Sequence, residues 1–223
     1  MKRFKITDLL IGFLFTLLFL SISVIITINF RPLYYMDIEI LDIEKNSGYR
    51  KEEILANYNA LIDYSSPFYQ GELSFPTFEA SESGIKHFKE VKDIFTIFYM
   101  LGAITLVLSI IIILYKKKKR DFKYLFISSV TAIALPLIVG LLMAIDFDTT
   151  FVVFHKIFFN NDDWIFNPVT DPVIQILPAA FFMHCAIMII ALVLLASLIC
   201  FLTYHRLKSH TGIKYRKTQD LKL

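Results

Sequence analysis

Four long runs of apolar residues dominate the chain, at Ile6 to Phe30, Ile94 to Tyr115, Tyr124 to Ile145 and Ala179 to Tyr204. Each is close to the roughly 20 residues that carry a helix across a bilayer. A backbone surrounded by hydrocarbon can satisfy its N–H and C=O groups only internally, so each run is predicted to be a membrane-spanning helix. The first run is longer than the apolar core of a cleaved signal, and no small-x-small cleavage site follows Phe30, so it is expected to remain as an anchor.

The polar positions between these runs predict further elements. From Arg31 to Asp93 the chain is too long for a mere connection and is expected to fold as a small cap. Met36, Ile38 and Ile40 alternate with Asp37 and Glu39, the period of a strand with one covered face. Between Arg50 and Tyr64, by contrast, Ile54, Tyr58 and Leu61 recur at helical spacing, which predicts an amphipathic helix whose stripe serves cap packing. Pro67, Gly71 and Pro76 then break the chain into loop. Ser81 or Ser83 is placed to cap a helix in which Gly84 to Asp93 extends the second span and His87, Val91 and Ile94 share a face. In the stretch 146–178, Asp146 and Asp148 precede the nearly continuous apolar run Phe151 to Phe159, too short to cross a bilayer and too apolar for a free loop. An interfacial or re-entrant helix fits it. Trp164 favours the same depth, and Pro168, Pro172 and Pro178 lead into the fourth span. The expected architecture is an all-α membrane protein with a small α/β cap: a span at 1–30, the cap at 31–93, spans at 94–115, 124–145 and 179–204, a basic turn at 116–123, an interfacial segment at 146–178 and a tail at 205–223.

Composition agrees, with 56% hydrophobic residues and a mean hydropathy of +0.60, and charge adds an orientation. Residues 1–5, the Lys116 to Lys123 turn and the tail after Tyr204 hold fifteen Lys and Arg, with Asp8, Asp121 and Asp220 as the acids in or beside them. The segments from Arg31 to Asp93 and from Asp146 to Leu177 hold eight basic residues against seventeen acids. Lys and Arg are retained on the cytoplasmic side of short loops, so both termini are expected in the cytoplasm and both acidic segments outside. The net charge of +3 thus conceals a dipolar molecule whose basic runs face lipid headgroups rather than nucleic acid. Cys185 and Cys200 fall on one span, too far apart to bridge, and are expected to pack. P-loops, CxxC pairs and GxSxG elbows are absent, which removes the usual support for nucleotide binding and serine hydrolysis.

Histidine is the side chain that exchanges protons near neutral pH without special tuning, and there are five. His205 and His210 sit in the basic tail and are expected to be solvated, and His184 within the fourth span is expected to be a structural, hydrogen-bonded residue. His87 and His155 both belong to extramembrane elements next to the membrane surface, where they are either proton-transfer groups or satisfied interfacial side chains. A metal site joining them to Asp162 or Asp163 has no standard ligand spacing.

The strings GIKHFKEVKDIF at 84–95 and FHKIFFNNDDWIFNP at 154–168, together with the helix EEILANYNALIDY at 52–64, resemble the bacterial lipoprotein intramolecular transacylase family over nearly the whole chain. The resemblance implies a cofactor-free membrane enzyme that moves an acyl chain from the glycerol of a diacylglyceryl-cysteine lipoprotein to that cysteine's own amino group, leaving a lyso-form lipoprotein. Its two catalytic histidines would be His87 and His155. Around them, Asp146, Asp148, Asp162 and Asp163 are candidates to orient an imidazole or contact substrate. Trp164 and the Phe-rich stretch are candidates to line an acyl groove, with ordinary membrane anchoring as the alternative, and Tyr58 is a further candidate for substrate contact. The partners expected are the lipoprotein and membrane lipids, and the protein is expected to be a monomer. Two other classes fit the same composition: a non-enzymatic membrane module binding lipoprotein, lipid or a partner through its cap, and a metal-assisted membrane hydrolase.

Overall fold

A computed structural model describes residues 6–220, with side chains through Ser209. The basic residues of 1–5, the side chain of His210 and residues 221–223 lie outside the described residues. The elements are helices: α1 (Ile6–Asn29), α2 (Pro32–Ile40), α3 (Ile43–Ser47), α4 (Lys51–Tyr64), α5 (Glu82–Lys118), α6 (Lys123–Ile145), α7 (Phe147–Phe158), a 3-10 turn at Pro172–Ile176, and α8 (Ala179–Asp220). Four of them, α1, α5, α6 and α8, are long and apolar enough to cross a membrane. Large apolar side chains stand exposed along them, among them Leu10, Ile104, Leu137 and Leu195. Such surface is unstable in water and normal against acyl chains.

The chain forms two compact units, one from residues 1–23, 101–139 and 190–223 and the other from 24–100 and 140–189. The first is a helix packing problem solved with small and hydroxylated residues, as is usual where lipid offers no hydrophobic drive. A Cβ on Gly12 would lie 2.9 Å from Ile127 and from Thr131, so the glycine lets α1 and α6 approach closely. Thr16 donates to Thr131 at 3.2 Å, and Ser197 on α8 donates to the Ser129 carbonyl at 2.7 Å. Phe15, Tyr124, Leu125 and Cys200 form its buried apolar cluster. Lys116 reaches both Asp121 (2.8 Å) and Asp8 (3.2 Å), so the buried carboxylate of Asp8 carries its counter-ion with it.

The second unit holds the aromatic core. One face of α4 contributes Ile54, Asn57, Tyr58, Leu61 and Tyr64, the predicted stripe widened by two residues. Tyr34 stacks on Tyr58 with ring centroids 3.6 Å apart, and its hydroxyl donates to the Ile176 carbonyl at 2.6 Å, pinning the 3-10 turn to α2. Asn57, wholly buried, donates to Glu53 O and Thr77 Oγ1 and accepts from Thr77 N, which fixes the loop before α5.

The strand expected at Met36 to Ile40 does not form: these residues lie in α2, no strand occurs among the described residues, and the cap is helical rather than α/β. Pro32 at the start of α2 presets helical φ. The buried positions Tyr34, Asp37 and Ile38, with Leu41 packed beside them, follow the helical spacing i, i+3, i+4, i+7. The alternation of Met36, Ile38 and Ile40 is a coincidence of composition, since Met36 and Ile40 are exposed. Asp37 turns inward because His184 on α8 meets it there, with Nδ1 2.8 and 3.0 Å from its two oxygens.

Candidate active site

Two local devices deliver His87. Ser81 caps α5 by accepting the Gly84 N–H at 3.0 Å. Asp171, 2% exposed, then receives both the backbone N–H of Ser81 (2.8 Å) and its hydroxyl (2.9 Å), so the helix start is fixed to the segment that leads into α8. Gly84 faces this carboxylate so closely that a Cβ there would lie 2.3 Å from Asp171 Oδ1. One turn further along, well before the apolar run that begins at Ile94, His87 is 4% exposed among Phe88, Phe159 and Phe166.

His155 is delivered by α7, which begins where Asp146 accepts the backbone N–H of Thr149 at 3.0 Å and its hydroxyl at 2.6 Å. Phe151 and His155, four residues apart, share the less exposed face, while Val153, Phe154, Ile157 and Phe158 point outward. The ring of His155 lies 4.8 Å from that of Trp164 and 4.1 Å from that of Phe151.

The two imidazoles come together from separate segments, with centroids 6.1 Å apart and planes inclined by 30°. Phe159 flanks both, at 4.7 Å from His87 and 5.6 Å from His155. His155 Nδ1 lies 2.8 Å from the Phe151 carbonyl oxygen. A carbonyl only accepts, so Nδ1 carries the proton and Nε2 keeps the lone pair. His87 Nδ1 is buried and has no protein partner. Burial, and then the neighbouring His155, push the His87 pKa down to about 4 against the opposing pull of Asp163; burial lowers His155 as well. Both rings are therefore neutral near pH 7, one a free base at Nε2 and the other an imidazole able to donate an N–H.

The remaining candidates divide. Asp163 pairs with Lys86 and bears on His87, and Trp164 faces His155 while donating its indole N–H to the Asn161 carbonyl at 3.1 Å. Asp146 caps α7 at the opposite end from His155, Asp148 is exposed in its first turn, and Asp162 is exposed in the loop. Tyr58 is 3% exposed in the aromatic core, where burial raises its phenol pKa. Among the described residues no group of three His, Cys, Asp or Glu is arranged to hold a metal ion. Two residues of the site had no signal of their own in the sequence. Glu90 lies one turn beyond His87, and Asn161 donates to Glu90 Oε1 at 2.8 Å while its own side-chain oxygen accepts the Asp163 N–H at 3.0 Å.

This arrangement of two neutral imidazoles in an aromatic recess suits proton transfer around one small reacting centre, and likeness to known proteins points the same way. The structure superposes on that of the membrane integral lipoprotein intramolecular transacylase Lit from Bacillus cereus with a TM-score of 0.90 and 34% identity, covering 92% of this chain and 96% of that one. A histidine-to-arginine variant of the Bacillus cereus protein matches at a TM-score of 0.85 and 34% identity, over 93% of this chain and 92% of that one. Its histidine-to-alanine variant matches at 0.84 and 34%, over 92% and 94%. No curated protein matches the chain. The family model for lipoprotein intramolecular transacylase Lit matches residues 9–182, which takes in all of α2 to α7 and both histidines, and the chain belongs to that family.

Proposed function

We propose that His87 and His155 carry out the acyl shift of this family, moving an acyl chain from the glycerol of a diacylglyceryl lipoprotein to the amino group of its N-terminal cysteine. The observation that carries the proposal is the meeting of the two rings at 6.1 Å with the His155 tautomer fixed by the Phe151 carbonyl. The cysteine amine attacks the ester carbonyl, a C–N bond forms, and the carbonyl oxygen takes up negative charge. His155 Nε2 accepts the proton the amine loses. His87, neutral at working pH, donates an N–H toward the oxyanion, a task in which a neutral imidazole serves well. When the intermediate collapses, the C–O bond breaks and the imidazolium of His155 returns its proton to the glycerol oxygen. Donor and acceptor share one molecule, so neither an enzyme nucleophile nor an energy source is needed. Holding ester and amine in attack geometry draws on the roughly 7 to 11 kcal/mol available to well-oriented intramolecular reactions.

The distribution of Lys and Arg supports a placement with both termini in the cytoplasm and the histidines on the outer side, at the depth of the ester groups of lipid. The outward Val153, Phe154, Ile157 and Phe158 of α7 suit that depth. Asp163 tempers the electrostatics of His87, Trp164 holds the plane of the His155 ring, and Asp146 acts on the site only by starting α7. The test is H87A and H155A, each expressed in a host lacking the activity, with mass spectrometry of a lipoprotein N-terminus. Each variant is expected to accumulate in the membrane and to leave the lipoprotein in its diacylglyceryl form. Lyso-form product from both variants refutes the assignment.

A further inference from the structure

Among the described residues of the site, Glu90 joins α5 to the Trp164 loop through its carboxylate and forms no salt bridge. Its Oε1 accepts the Asn161 amide at 2.8 Å. Through its backbone carbonyl Asn161 holds the Trp164 indole at 3.1 Å, and that indole lies 4.8 Å from His155. Glu90 also stands on α5 one turn after His87, on the same face. Its second oxygen, Oε2, is buried with no protein partner, and so is His87 Nδ1. A buried carboxylate oxygen and a buried ring nitrogen without a protein partner cost free energy each, and one water donating an O–H to each of them satisfies both.

We infer that Glu90 is the positioning residue of the histidine pair: it fixes the Trp164 loop against His155 through Asn161, and its free oxygen and His87 Nδ1 accept the two O–H groups of one bridging water, which keeps the proton of the neutral His87 ring on Nε2, free to be donated to the oxyanion. The inference rests on the catalytic reading of His87. A carboxylate bridged to Nδ1 in this way selects the Nε2–H tautomer, and its negative charge also raises the affinity of the ring for a second proton. The titratable groups that bear on His87 are His155 from α7 and Asp163 from the loop, and its neighbours on α5 itself are Lys86 and Glu90. Of these, Asp163 is engaged by Lys86, which leaves Glu90 with the unshared oxygen.

The test separates the tie from the charge. E90Q retains a carbonyl for Asn161 and removes the negative charge, whereas E90A and N161A both release the loop. Trp164, the protein's only tryptophan, reports the loop by its emission. E90Q is expected to keep the wild-type emission spectrum and substrate KM, lose about 10-fold in kcat, the weight of one charge-assisted hydrogen bond, and shift the acid limb of its pH profile to lower pH. E90A and N161A are expected to change the emission as well. Wild-type kcat and an unmoved acid limb in E90Q overturn the inference, and so does unchanged Trp164 emission in both E90A and N161A. H87A assayed alongside keeps the two ideas apart: lyso-form product from H87A defeats the catalytic reading, while an inactive H87A beside a wild-type E90Q defeats the role of Glu90 alone.

Discussion

Replacing Gly84 with alanine sets two physical effects against each other, and the structure decides between them. In an exposed helix the change is worth about 1 kcal/mol in favour of alanine. Here the new methyl would lie 2.3 Å from Asp171 Oδ1, 3.2 Å from its Cγ and 3.1 Å from Phe166. Something must move. Asp171 is the group at the point of closest approach, and it holds two hydrogen bonds from Ser81 that a displaced carboxylate cannot keep. Hydrogen bonds to a buried charge contribute about 1.5 to 3 kcal/mol each, so the loss outweighs the propensity gain by about 2 to 5 kcal/mol. In a chain of this size that corresponds to a fall in Tm of about 4 to 20 °C, measured by thermal unfolding in detergent. Activity should fall further than stability requires, because Phe166 packs 5.5 Å from the His87 ring. The D171A background provides the control, since there the methyl meets no carboxylate and the cost of G84A should shrink to whatever the 3.1 Å approach to Phe166 imposes. The reasoning is refuted if G84A melts at or above the wild-type temperature, or if its cost in the D171A background is undiminished.

Trp164 emission should be quenched as His155 gains a proton; because burial lowers that histidine, the midpoint of a fluorescence titration is expected below 6.5, and a midpoint at or above it contradicts the burial argument. The stability of the protein carries a matching signature. His87 takes up its proton in the unfolded chain near 6.5 and in the folded one only near about 4, so its contribution is complete above 6.5 and is lost as pH falls through that window. H87A should accordingly show a shallower decline of Tm between those pH values than the wild type. N57A removes three hydrogen bonds made by a wholly buried side chain and leaves a void in its place, for an expected loss of about 2 to 3 kcal/mol by denaturant melts, while substitution of the exposed Asn46 should change little.

Elements answering to one dominant force were readable from the residues alone. The four spans were, because lipid demands a continuous apolar run and leaves the backbone no second option. The stripe of α4 was, because Ile54, Tyr58 and Leu61 bury the same face whatever they pack against. α2 was not. Five residues that alternate by chance outweighed Pro32, and the feature that makes Asp37 an inward residue is a histidine 147 positions away. The site divides along the same line. His87 and His155 could be singled out by residue type and by nearness to a span, and the quoted motifs reinforced them. Glu90 and Asn161 could not, since each is unremarkable until a contact across 71 residues joins them. Tyr58, proposed for substrate contact, stacks on Tyr34 in the core, a partnership that depends on the 3-10 turn as much as on either tyrosine.

The helix that bears His155 turns Val153, Phe154, Ile157 and Phe158 away from the protein, so on the proposed placement the imidazole is approached across an oily shore rather than through open water. A greasy molecule arriving there never has to leave its own phase. Encounter then becomes a search over an area, and turnover should track how densely the surrounding leaflet is stocked with acylated protein, not how much is dissolved per litre. Kinetic constants written per volume would change with every dilution of the host bilayer, while those written as a mole fraction of lipid would hold.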